Sequence, residues 1–249
     1  MGRKWTQDDV LAYNIRVVYQ DRTTFFGMTD LPSPDVNNAA LTAQNPATAN
    51  DLSTSGMLHH MNRLTDPLTD PDHRAPATVD FVRELFKVLH YHTVAPIKLP
   101  MFGPKLNYVA DQGRPPQLDV CIVDGSNVIS LVVKVDRQSR DFDPEARLIS
   151  DAVGAFNNDN LMRVKHLGTN ALPSMVMPGI VMDGTMPTYY KIPVTAELVS
   201  AVDAGKRPEQ ETIVHAYRPE VPRPGEGMKP LDNRHIILSC FEAFRRFVF

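Results

Sequence analysis

The chain has 249 residues, 43% hydrophobic and 22% charged, which is enough apolar material for a sizeable core and excludes a disordered or fibrous composition. Its 26 Lys and Arg stand against 29 Asp and Glu, a net charge of −3 that gives no overall field toward polyanions, so any nucleic-acid contact must come from a local patch. Two cysteines exclude a disulfide framework or a thiolate zinc set, and no run reaches the roughly 18 apolar residues of a membrane span, so a soluble intracellular protein, cytoplasmic or nuclear and without membrane contact, is expected.

Thr6, three residues before Asp9, predicts the start of a short helix, and Ile15–Tyr19 reads as a strand. Residues 29–77 are rich in Pro, Asn, Asp, Ser and Thr and weakly periodic, which predicts a long irregular connection. Thr78 or Asp80 then caps a helix in which Phe81, Val82, Leu85, Phe86, Val88 and Leu89 follow helical spacing up to Tyr91. Three extended segments follow: Val94 to Leu99, reaching toward Val109 through Pro100 and Pro104, then Gln117 to Val123, then Val128 to Val135. The last two are joined by the turn signal Asp124-Gly125-Ser126-Asn127 as a hairpin.

Asp143-Pro144-Glu145 supplies a cap, a first-turn proline and a first-turn acid to a helix whose apolar face is Ile149, Ala152, Val153 and Phe156, with Asn157-Asn158 at its end. Strands at Met175–Met182 and Thr188–Val194 flank Asp183-Gly184. A helix from Thr195 to Ala204, a strand near Thr212–Ala216, a Pro-rich loop 218–230 and a helix with Ile236, Ile237, Cys240, Phe241 and Phe244 on one face complete the chain. The whole reads as a single domain, 1–249, with a core at 78–194 and a C-terminal helical elaboration at 195–249.

Residues 78–182 thus run helix, strand, strand, strand, helix, strand, an α/β order shared with the restriction-endonuclease-like core of PD-(D/E)XK nucleases. Such a core holds a divalent metal with a strand aspartate and, on the next strand, an acid-x-lysine pair. Carboxylate oxygens suit magnesium, the metal makes hydroxide available near neutral pH, and alternation turns residues i and i+2 to one face. Asp119 stands where the first acid belongs. The next strand, Leu131-Val132-Val133-Lys134-Val135-Asp136-Arg137, has no acid followed two places later by lysine.

Leu118-Asp119-Val120-Cys121-Ile122, the strand 131–137 and the helix from Asp143 to Asn158 resemble a group of uncharacterised mushroom-type fungal proteins related to those nucleases. Phe25-Phe26-Gly27 and Tyr189-Tyr190-Lys191-Ile192-Pro193-Val194-Thr195 extend the resemblance over most of the chain. In that group the second strand usually ends Gln-Glu-Asp-Lys and the helix carries Gln two residues after Pro-Glu. Aligned on Asp136, Val135 takes the glutamate position, Arg137 the lysine and Arg147 the glutamine. The resemblance therefore implies a degenerate site that binds nucleic acid or, next, a protein partner, without efficient catalysis.

An alternative keeps an active magnesium-dependent nuclease. Asp119 and Asp136 hold the metal, Lys134 shares the face of Asp136, and Glu84 or Glu145, or Asp151, donates a migrated carboxylate. The plainer reading makes these acids solvated charges and Lys134 a snorkelling side chain. Arg137, Arg140, Arg147, Arg163 and Lys165 are the candidate phosphate contacts, although Asp136, Asp141, Asp143, Glu145 and Asp151 interleave with them. His59, His60, His73, His90 and His92 lack acidic or Cys partners at ligand spacing, and Cys121 lies in an apolar run, so neither zinc nor thiol chemistry is favoured.

Overall fold

The computed structural model describes residues 5–66, 71–91, 99–102, 118–124, 126 and 128–249. Short polar side chains set many of the helix starts by accepting from otherwise orphaned amides. Thr6 and Asp9 form a capping box on α1 (Gln7–Ala12), Asp21 accepts from Thr24 N–H at α2 (Arg22–Phe26), and Asp143 accepts from Ala146 N–H at α6 (Pro144–Lys165). Thr195 does the same for Leu198 at α7 (Ala196–Asp203). The remaining helices are α3 (Asn38–Thr42), α4 (Leu52–Thr65), α5 (Pro71–Val88) and α8 (Leu231–Arg245).

The strands β1 (Ile15–Tyr19), β2 (Leu99–Phe102), β3 (Val120–Val123), β4 (Ile129–Val135), β5 (Ser174–Asp183), β6 (Met186–Thr195) and β7 (Thr212–Tyr217) form one mixed sheet in the order β1-β7-β6-β5-β4-β3-β2. The β1/β7 and β4/β5 pairs are parallel and the others antiparallel. Helices cover both faces, as the alternating apolar strands require. One face carries α2, α3, α4, α5 and α8 against Val120, Leu131, Val133, Val135 and Tyr189. The other carries α1, α6 and α7 against Cys121, Val132, Tyr190 and Val214.

The order α5-β2-β3-β4-α6-β5 reproduces the helix–strand–strand–strand–helix–strand run. The hairpin β3/β4 is antiparallel, and the Asp124 carboxylate accepts from Ser126 and Val128 N–H to close it. Phe25-Phe26-Gly27 and Tyr189-Tyr190-Lys191, far apart in sequence, pack together. Lys191 Nζ donates to Phe25 O and lies over its ring, and the Phe26 and Tyr189 rings meet edge to face.

Four expectations need correction. Residues 29–77 contain α4, because Asp51 caps Thr54 N–H and Met57, Leu58, Met61 and Leu64 bury one helical stripe despite the polar composition. Helix α5 starts at Pro71 rather than near Thr78, and the Thr78 hydroxyl donates to Arg74 O from within it. Helix α6 runs past Asn157-Asn158, since Asp159 accepts from Ile129 N–H and Asn160 is tied to Leu172 in both directions. Segment 195–249 is no appendage: β7 lies between β1 and β6, and α8 packs into the core. Residues 92–98, 103–117, Gly125 and Asn127, including most of the first extended segment and His92, lie outside the described residues.

Candidate functional site

Register and alternation assemble the centre. Val120 pairs with Val133, so continuing one step sets Asp119 beside Lys134. Val133 and Val135 turn toward α5, which sends Lys134 to the α6 face. There Lys134 is buried, with Nζ 2.7 Å from Asp151 Oδ2 and 3.7 Å from Asp119 Oδ2. Asp119 Oδ2 also accepts from Val135 N–H at 2.9 Å, and Oδ1 accepts from Arg137 at 3.2 Å. Burial pushes the Asp151 carboxyl up to about 6 while the Lys134 ammonium pulls it back. One buried carboxylate, Asp151, and one half-buried, Asp119, thus share one internal cation.

A cleft of about 470 Å³ opens at this end of the sheet, lined by Ala75, Pro76, Val79, Asp119, Val135, Arg137 and Ser139. Its position at the carboxyl end of β4, beside the parallel neighbour β5, is where α/β sheets commonly bind ligands. Val135 presents an aliphatic wall where the resemblance implies a carboxylate. Next to the cleft, the Arg137 and Arg147 guanidinium carbons lie 5.2 and 4.2 Å from the Phe142 ring centroid. Burial, and then the charge of Arg137, lower the pKa of Arg147.

The other candidates separate from this centre. Asp136 Oδ1 accepts from Gln138 N–H at 2.8 Å, closing the turn after β4, and Asp136 does not line the cleft. Glu84 pairs with Lys87 at 2.6 Å and packs over Gly56 of α4. Glu145 points to the opposite flank of α6, where its Oε2 accepts from Tyr19 and Tyr190 hydroxyls at 2.9 and 3.0 Å, and burial raises its pKa. Arg140 is exposed in the loop after β4. Arg163 and Lys165 lie at the far end of α6, about 24 Å along the axis from Arg147 at 1.5 Å per residue, so the basic residues do not form one patch.

Sequence reasoning missed Phe142, Arg74 and the tyrosine pair. Arg74 donates to Gln138 Oε1 at 3.2 Å, and Gln138 Nε2 donates to Asp183 Oδ1 at 3.1 Å. None of these carries a local motif; only the meeting of separate elements reveals them. Cys121 is buried and its thiol is pushed up to about 12 by desolvation, which makes it inert as a nucleophile.

The magnesium set does not fit this geometry. Both Asp119 oxygens are engaged by cations or an amide, Val135 offers no ligand, and Asp136 is turned to Gln138. No group of three or more His, Cys, Asp or Glu side chains suited to a metal occurs among the described residues. No helix among them is long and apolar enough to cross a membrane. No family model matches the chain, and none of the curated proteins matches it.

Proposed function

We propose that this is a nuclease-like protein with a restriction-endonuclease-like core that binds nucleic acid through the Asp119 cleft without hydrolysing it. The element order α5-β2-β3-β4-α6-β5 supports the core. One observation carries the loss of catalysis: Asp119, the acid the mechanism needs first, is held by Lys134, Arg137 and Val135 N–H, with an aliphatic Val135 in the cleft. A metal would have to displace two resident cations and find its further oxygens elsewhere. Arg137 cannot take Lys's place as a proton acceptor because a guanidinium stays charged.

Guanidiniums at a cleft mouth favour phosphate, which they meet through paired N–H donors. That favours nucleic acid over a protein partner as the ligand. The test incubates the purified chain with single- and double-stranded DNA and RNA, in magnesium, in manganese and in chelator. The expected result is a salt-dependent shift with no metal-dependent cleavage. Cleavage that requires metal and disappears in Asp119→Ala establishes the active nuclease instead. No shift with any polynucleotide at low salt removes the nucleic-acid reading.

A further inference from the structure

Phe142 stands in the loop between β4 and α6, with Arg137 from one side of that loop and Arg147 from the first turns of α6 both set against its ring. Like charges repel, so two guanidiniums gathered on one ring are held there by the ring and by local acceptors: Arg137 by Asp119 Oδ1, Arg147 by Asp141 O at 3.4 Å. Each uses a single terminal nitrogen for these bonds, out of five N–H donors. The buried Nε of Arg147 has no hydrogen-bond partner. An anion between the two would relieve the repulsion and meet their free terminal N–H donors.

The adjoining cleft has a different character. Ala75, Pro76, Val79 and Val135 give it an apolar wall, with Asp119, Arg137 and Ser139 as polar points, and its volume of about 470 Å³ suits a small planar group rather than the side of a duplex. Unpaired bases can turn into such a pocket, whereas paired bases are stacked away.

We propose that Arg137 and Arg147, positioned by Phe142, clamp one phosphate of a single-stranded nucleic acid whose neighbouring base enters the Asp119 cleft. This rests on the nucleic-acid reading above and adds the contacting group and the strandedness. Phe142 is a positioning residue, and Arg137 and Arg147 make the contact.

Fluorescence anisotropy with labelled oligothymidylate, labelled oligouridylate and the same oligothymidylate annealed to its complement, titrated over a range of salt, tests it. Binding of either single strand more tightly than the duplex is expected. Arg137→Gln and Arg147→Gln should each weaken binding, and the double variant should lower the slope of log K against log salt by about 0.7, the value for one lost phosphate contact on a single strand. Phe142→Leu keeps both charges, so it should weaken binding with little change in slope. Arg137 is 53% exposed at its side chain, so its variant should fold. Wild-type binding that is unchanged in affinity and slope in the double arginine variant, or that prefers duplex, overturns the clamp and leaves nucleic-acid binding standing. If the wild type binds no strand at low salt, both fall.

Discussion

Burying Lys134 between Asp119 and Asp151 fixes the charge of the site before any ligand arrives. Breaking a buried ion pair by removing one partner typically costs about 3–5 kcal/mol, because an uncompensated charge remains. Lys134→Met should therefore destabilise the protein by about that amount near neutral pH, measured by urea unfolding. The loss should shrink on acidification, since protonating Asp151 removes a stranded charge. In the wild type, the Asp151 carboxyl titrates at about 6, above its ordinary 3.8, so the folded protein holds that proton more tightly than the unfolded chain. Its contribution to stability is then greatest below about 4 and declines as pH rises through about 6, where the wild-type unfolding curve should show this slope. Disappearance of the slope in Asp151→Asn would assign it. The residue-level reading from sequence placed Asp119 and Lys134 in the site and named Asp151 among possible donors. It did not foresee that the lysine points away from the cleft to the α6 face, because alternation fixes which residues share a face but not which face meets which helix.

Single elements show why some boundaries were legible and others not. The caps at Thr6 and Asp143 act through neighbours three residues on, so a linear reading finds them. Helix α4 escaped because Ser, Thr, Gly and His dilute its buried Met57, Leu58, Met61 and Leu64 stripe; only packing against α5 makes that stripe a face. The length of α6 was hidden for a related reason: Asp159 and Asn160 look like terminators, yet their side chains serve the backbone of Ile129 and Leu172. The loop before α8 offers a sharper test. Gly227 has a φ of +55°, and a Cβ there would lie 2.0 Å from Thr185 Oγ1, the atom that accepts from Met228 N–H. Gly227→Ala should cost about 2 kcal/mol or more through combined strain and a lost hydrogen bond, read as a lowered melting temperature. An unchanged melting temperature would show that the loop relaxes without cost.

At the scale of the molecule, one seven-stranded sheet carries helices on both faces, and a buried cation ties the C-terminal helix to the region of α3. Arg234 in α8 donates to Met228 O, Ala43 O, Ala40 O and Lys229 O, joining the C-terminal helix to the region of α3. Burial lowers its pKa to about 10, so it remains charged at neutral pH. Arg234→Leu would leave those carbonyls without their donor, and a loss of about 3 kcal/mol is expected, with faster amide exchange in residues 38–43. Exchange confined to α8 would argue that the two regions are not coupled. The α/β order and its mixed sheet were readable because each strand and helix has its own period. The sheet order was not, since β7 inserts beside β1 across about two hundred residues of chain and local pattern carries no such pairing.

On the proposed reading, Asp119 is already neutralised from within by Lys134 and Arg137 and recruits no divalent metal. A calorimetric titration of manganese into the protein near neutral pH addresses it directly. No saturable heat is expected for the wild type. A saturable site that vanishes in Asp119→Ala would contradict the account and restore the metal-dependent nuclease.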